Sequence, residues 1–141
     1  MIPKIIHYCW FGGNPLPPLA LKCIESWKKY CPDYEIKIWD ESNFDININK
    51  YATEAYEAKK WAFVSDVARL WVLYNYGGIY MDTDLEVIKP LDEFLYHKAF
   101  SGFEDEVNIP TGIIASEKNN NWIKVCYGLC KMASILRKGA I

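Results

Sequence analysis

Two aspartates, Asp82 and Asp84, stand one residue apart in the stretch NYGGIYMDTDLEV, Asn75 to Val87, directly after an apolar run that otherwise reads as a buried strand. On an extended chain, positions two apart point to the same side, so both carboxylates would face one place. Two like charges there raise each other's pKa unless a cation lies between them. Oxygen ligands at this spacing suit a hard divalent ion, Mn2+ or Mg2+, which keeps coordination sites for water and substrate phosphates. Such an ion is a Lewis acid for a phosphate leaving group. A bare D-x-D pair also fits a solvated turn with two exposed aspartates. The apolar approach, and the Gly77-Gly78 pair that lets backbones come close, favour the ligand reading.

A second pair lies upstream. From Trp61 to Met81 the only charged residues are Asp66 and Arg69, three apart and therefore neighbours on a helix. A partly buried ion pair accounts for the geometry, but burying such a pair tends not to add stability. The functional alternative gives Arg69 an anionic or hydroxylated ligand and Asp66 a sugar hydroxyl. A third feature is IHYCWFGG near the start. Trp10 there is either a core tryptophan beside a turn or a flat face for a nucleobase. His7 reads as a core or supporting residue rather than a ligand.

These residues need elements to hold them. Lys4 to Phe11 reads as a buried strand, ended by Gly12-Gly13-Asn14-Pro15. A proline-led helix follows, with Leu19, Cys23, Ile24 and Trp27 on one face, stopped at Pro32-Asp33. Tyr34, Ile36 and Ile38 alternate with Glu35, Lys37 and Trp39 as a second strand. A polar connection leads to a helix over Glu54 to Lys60. A longer one, Trp61 to Tyr76, is apolar nearly all round and closed by Gly77-Gly78. Ile79 to Met81 is a strand with the aspartates at its end, and LEVIKPLDEF continues extended before Pro90. AFSGFED and GIIAS read as short strands, and a last helix runs through NNNWIKVCYGLCKMASILRK, capped by Asn121 or a neighbour. Strands alternating with helices argue for an α/β fold with a parallel sheet, in which ligands bind at the carboxyl ends of strands.

Bulk properties narrow the partners. The 141 residues suit one domain, and a 51% hydrophobic composition can fill a core. A net charge of −2 with no basic stripe argues against nucleic acid. Five cysteines without a CxxC pair argue against a zinc site and suit a reducing compartment. The start has no basic segment followed by an apolar one, so no secretory signal is expected. The most apolar stretch contains Asp66 and Arg69, so it reads as buried rather than membrane-spanning. The expected compartment is the cytoplasm.

Taken together, IIHYCWFGG, PDYEIKIWDE, FVSDVARLWVLYNYGGIYMDTDLEVIKPLD and GFED resemble glycosyltransferase family 32, the transferases with a DXD sugar-binding region. That family includes initiating α-1,6-mannosyltransferase-like proteins of yeast and bacterial capsular polysaccharide transferases; clostridial glucosylating toxins share the pattern more distantly. The resemblance spans roughly residues 2 to 116, and its S-D-x-x-R then G-G-x-Y-x-D-x-D spacing is far more specific than D-x-D alone.

The resemblance implies a GT-A fold: a Rossmann-like mixed, mainly parallel sheet flanked by helices. It implies a metal-dependent, retaining transfer of a sugar from a UDP- or GDP-sugar donor to a glycan acceptor, with Mn2+ or Mg2+ as cofactor, in bacterial polysaccharide or capsule synthesis. By matching position, Trp10 would stack on the donor base, and Asp66 and Arg69 would hold the donor sugar and diphosphate. Tyr80 would line the pocket and Asp84 would bind the metal. Asp82 would contact the ribose or sugar and the metal's water shell. No carboxylate stands out as a nucleophile for double displacement. Peripheral association with the inner face of the membrane and homo-oligomer formation are left open. Residues 1–141 read as one GT-A domain, cut short at RKGAI, so the alternative is a truncated nucleotide-sugar-binding domain without transfer. A D-x-D phosphohydrolase fits less well, because Leu85 and Glu86 follow Asp84 and the motif lies mid-chain.

Overall fold

A computed structural model describes residues 1–102 and 112–129. The element order is β1 (Ile5–Cys9), α1 (Pro18–Tyr30), β2 (Glu35–Trp39), α2 (Lys50–Glu57), α3 (Trp61–Tyr76), β3 (Gly78–Met81), β4 (Ala99–Ser101) and β5 (Ile113–Ser116). A helix over 121–129, α4, follows. The expected continuation of β4 through Phe103, Glu104 and Asp105 lies outside the described residues. So do Cys130, the expected last turns of α4 and the RKGAI end.

The strands form one sheet in the order β2-β1-β3-β5-β4. β1 pairs in parallel with β2 and β3, while β5 pairs antiparallel with β3 and β4. Four of the five strands therefore share a direction and β5 opposes them. The chain leaves β1 for β2 on one side and returns to β3 on the other. The carboxyl ends of β1 and β3 thus flank a switch point, where α/β sheets bind ligands.

Alternation along the strands divides the core. Ile6, Tyr8, Ile79 and Met81 meet α1 through Ile24 and Trp27. Cys9 and Tyr80 face the other layer, with Val64, Val67 and Leu73 of α3 and Ala52 of α2. Each helix has a local cause. α1 begins with Pro17 and Pro18, and Lys28 and Lys29 occupy its last turn, where the helix dipole favours cations. Asn49 caps α2 by accepting the Ala52 N–H at 2.8 Å, and Asn120 caps α4 by accepting those of Trp122 and Ile123. α3 keeps its expected bounds and ends at Gly77, whose φ of 69° suits glycine and whose N–H reaches Leu73 O at 2.8 Å.

Several expectations are corrected. Leu19 is 57% exposed and Ala20 takes its place in the core beside Cys23, Ile24 and Trp27, which are buried as expected. In β2 the expected burial is corrected: Tyr34 and Ile36 pack in the α1 layer but Ile38 is exposed, while Trp39 is buried on the opposite face and donates its indole N–H to His7. α2 starts at Lys50 rather than Glu54. LEVIKPLDEF joins no strand of the sheet, and after Pro90 a 3-10 turn covers Asp92–Phe94. Among the described residues no helix is long and apolar enough to cross a membrane.

Candidate active site at the switch point

A cleft of about 470 Å³ opens at the carboxyl ends of β1 and β3. Its lining includes Trp10, Trp61, Arg69, Tyr80, Asp82 and Asp84, so the structure brings five of the six expected site residues to one cavity. The sixth, Asp66, reaches it through Arg69.

Arg69 is the hub. It is 5% exposed, yet its guanidinium Nη2 lies 3.4 Å from Asp66 Oδ1 and 3.3 Å from Asp82 Oδ1. Its Nε donates to the Ser65 carbonyl at 3.2 Å, and the guanidinium sits 4.4 Å from the centre of the Tyr80 ring. The i,i+3 pair expected within α3 is therefore real, but it is one arm of a bridge from α3 to the end of β3. Stacking on Tyr80 and fork-like donation fix the guanidinium plane, which a lysine could not reproduce.

Asp82 receives the other arm. The Tyr80 hydroxyl donates to the same Oδ1 at 3.0 Å, and the Asp82 N–H donates to Gly112 O at 2.8 Å. A Cβ on Gly112 would lie 3.2 Å from Asp82 Oδ2. The chain is not extended here. Leu85 N–H closes on Asp82 O at 3.1 Å, so Asp82 to Leu85 form a turn. The carboxylates reach the cleft through that turn, and the alternation argument does not apply. Burial pushes the Asp82 carboxyl above the usual carboxylate range. Arg69 and the Tyr80 hydrogen bond oppose this, and the Asp84 charge adds a smaller push. Desolvation rather than mutual repulsion is thus the main cause. Asp84 is exposed at the rim.

Trp10 and Trp61 form the aromatic side. Trp10 Nε1 donates to Asn14 O at 2.6 Å, and its backbone N–H donates to Trp39 O at 2.9 Å. Trp61 opens α3 and packs edge-on against Tyr56. Gly12, with φ 97°, lies against the indole: a Cβ there would come within 2.6 Å of it. Sequence reasoning missed Trp61 because it counts as core at the head of an apolar helix. The turn Gly12-Gly13 upstream was the available signal. Cys9 also lines the cleft, but burial raises its thiol to about 12, so it stays protonated and is a poor nucleophile. His7 is fully buried inside β1 and does not line the cleft.

The donor set suits a hard divalent cation. Asp82 and Asp84 supply carboxylate oxygens at the mouth of an open cleft. Among the described residues no group of three or more His, Cys, Asp or Glu side chains gathers. Two carboxylates, with the remaining positions left to water and phosphate oxygens, is the pattern of Mg2+ or Mn2+ rather than a zinc cage.

Comparison with known proteins agrees with this geometry. The family described as glycosyltransferase sugar-binding region containing DXD motif matches residues 17–101. Inositol phosphoceramide mannosyltransferase 3 of Schizosaccharomyces pombe is 34% identical over 107 residues, which is 70% of this chain and 29% of that protein. The uncharacterized glycosyltransferase L373 of Acanthamoeba polyphaga mimivirus is 32% identical over 130 residues, covering 85% of this chain and 52% of the viral protein. Among solved structures, the PaToxG glycosyltransferase superposes with a TM-score of 0.70 at 25% identity, over 87% of this chain and 57% of its own. The chain spans about a third of the length of the first of these curated relatives.

Proposed function

From the premise that the chain belongs to the DXD-containing glycosyltransferase family, with the GT-A fold, we propose that it moves a sugar from a nucleotide-sugar donor to a glycan acceptor. The observation that carries this is the Asp66–Arg69–Asp82 bridge under Tyr80, which opens onto a cleft walled by tryptophan and rimmed by Asp84. The bridge explains why an apolar helix carries two charges. Arg69 holds Asp82 and Asp66 at fixed positions and places its guanidinium in the cleft wall on the diphosphate side of this reading. Asp66, 40% exposed in its side chain, is placed for a sugar hydroxyl. Trp10 offers its face to the base, and Asp82 meets the ribose or sugar. Asp84, with Asp82 behind it, would hold Mn2+ or Mg2+, which when bound supplies charge neutralisation for the departing nucleoside diphosphate.

Asp66 and Asp82 are both engaged by Arg69, so neither is poised as a nucleophile. Retention at the anomeric carbon rests on the family resemblance rather than on this pairing, and without a carboxylate nucleophile it would form no glycosyl-enzyme intermediate. The relatives named as inositol phosphoceramide mannosyltransferases support mannose as the donor sugar and a glycolipid as the acceptor class. Membership among transferases supports transfer over binding alone.

Titration calorimetry of GDP-mannose, UDP-glucose, UDP-galactose and UDP-N-acetylglucosamine, each with and without Mn2+, tests the reading. Metal-dependent binding of one donor is expected, and binding of none overturns it. Asp84→Ala is expected to abolish the metal dependence and leave the melting temperature unchanged, because Asp84 is exposed and lies outside the core. Unaltered donor affinity in that variant would remove Asp84 from the metal site.

A further inference from the structure

We propose that His7 is a positioning residue of the donor site: a neutral imidazole that ties the α3–β3 junction to the end of β2 and so holds the two sides of the cleft in register. The inference rests on reading the cleft as a donor site, and it concerns a residue that never touches the cleft.

The geometry is specific. His7 is fully buried in the central strand. Its Nε2 lies 2.8 Å from Gly77 O, and its Nδ1 lies 3.1 Å from Trp39 Nε1. An indole N–H can only donate and a carbonyl can only accept. Nδ1 must therefore carry the lone pair and Nε2 the proton, which fixes one neutral tautomer. A second proton would set N–H against N–H at Trp39. Burial, with Lys37 nearby, holds the ring neutral by lowering its pKa to about 4 despite the Gly77 bond.

Each partner leads to one side of the cleft. Gly77 joins the last turn of α3, eight residues after Arg69, to β3, which delivers Tyr80 and Asp82. Tyr80 is also the register partner of His7 across the β1–β3 pair. Trp39, the other partner, accepts the Trp10 N–H on its own carbonyl at 2.9 Å. One imidazole thus links the Arg69–Tyr80–Asp82 side to the Trp10 side. Gly78 is fitted to it: φ is 117°, and a Cβ there would lie 2.6 Å from Ile5 O and 3.0 Å from His7 Nε2. An apolar side chain at position 7 would fill the space but leave the Gly77 carbonyl and the Trp39 N–H without these partners.

Three variants separate positioning from mere stability. His7→Gln keeps a donor near the Nε2 position, for Gly77. His7→Asn keeps an acceptor near the Nδ1 position, for Trp39. His7→Leu keeps neither. Each is assayed with the donor identified by calorimetry, at a temperature where circular dichroism shows it fully folded. His7→Leu is expected to raise donor KM about tenfold, since small misplacements of binding groups are costly. His7→Gln and His7→Asn should each recover part of that loss. A purely structural role lowers the active fraction and hence apparent kcat, leaving KM alone; unchanged KM in all three variants overturns the inference. Imidazole 15N shifts in the wild type should show protonated Nε2 and bare Nδ1 at pH 7. The opposite tautomer, or a charged ring, overturns it as well. A wild-type chain that binds no nucleotide sugar overturns the transferase reading and the donor-site role with it, while the 15N shifts still decide the clamp.

Discussion

Helices α1 and α3 cover opposite faces of the same sheet and use charge in opposite ways. α1 follows the rule for a surface helix: Ala20, Cys23, Ile24 and Trp27 point in, and Lys22, Glu25, Lys28 and Lys29 meet water. α3 buries seven of its sixteen residues, Arg69 among them, and its two charged side chains both belong to the bridge. A charge on α1 costs little because it stays solvated. The Arg69 charge loses its water and is held by two carboxylates and an aromatic ring, an arrangement that seldom improves on apolar packing for stability. The difference teaches where to look: in this molecule the informative charge is the one whose helix had no structural need of it.

The comparison can be sharpened first at the helix ends. α1 closes on a backbone bond, Cys31 N–H to Trp27 O, whereas the end of α3 is also held by His7. His7 takes a proton near 6.5 when unfolded but only near 4 when folded, so the unfolded chain binds more protons between those values. Stability should therefore fall as pH drops through that window, by about 3 kcal/mol in total. Urea melts at pH 7 and pH 4.5 measure the loss, and His7→Gln should remove this contribution to the slope. An unchanged slope in the variant would assign the acid sensitivity elsewhere.

Arg69→Ala is the next largest change. Breaking a fully buried pair costs about 3–5 kcal/mol. Here the Asp66 and Asp82 side chains keep 40% and 37% exposure, so solvent screens the loss and about 2 kcal/mol is expected. Donor affinity should fall as well, by about a hundredfold, which calorimetry on the folded variant would read. A variant that melts lower but binds donor normally would make the bridge structural and break the contrast. At the small end, Lys28 and Glu25 on α1 pair at 3.2 Å with side chains 59% and 72% exposed. Replacing both with alanine should leave the melting temperature and donor binding unmoved; a clear drop in either would show that α1 carries more than solvation.

How far the sequence disclosed this arrangement depended on how local the cause was. The bounds of α3 were legible because an uninterrupted apolar run meets two glycines. The clustering of Trp10, Arg69, Tyr80, Asp82 and Asp84 was legible through motif order, and Asp66 with them. What was hidden required a partner far along the chain. Trp39 is buried on the face of β2 that carries Glu35 and Lys37, where its indole meets His7, 32 residues away. Arg69 appeared to pair only with Asp66, since the second carboxylate arrives from another element. The turn at Asp82 was masked by the strand-like residues before it, and the antiparallel seat of β5 cannot be read from three apolar residues and a serine. Trp61 hid in plain composition, because an aromatic at the head of an apolar helix looks like packing.

The buried thiol of Cys9 has a practical consequence. It lies in the wall of the cleft, yet its proton is held to about pH 12 and its surface is 6% exposed. Reagents that need a thiolate should pass it by at neutral pH. Once the partly exposed Cys126, and Cys130 with it, are replaced, maleimide or iodoacetamide can attach a fluorophore to an engineered rim cysteine, and donor titrations can be followed optically without poisoning the site from within.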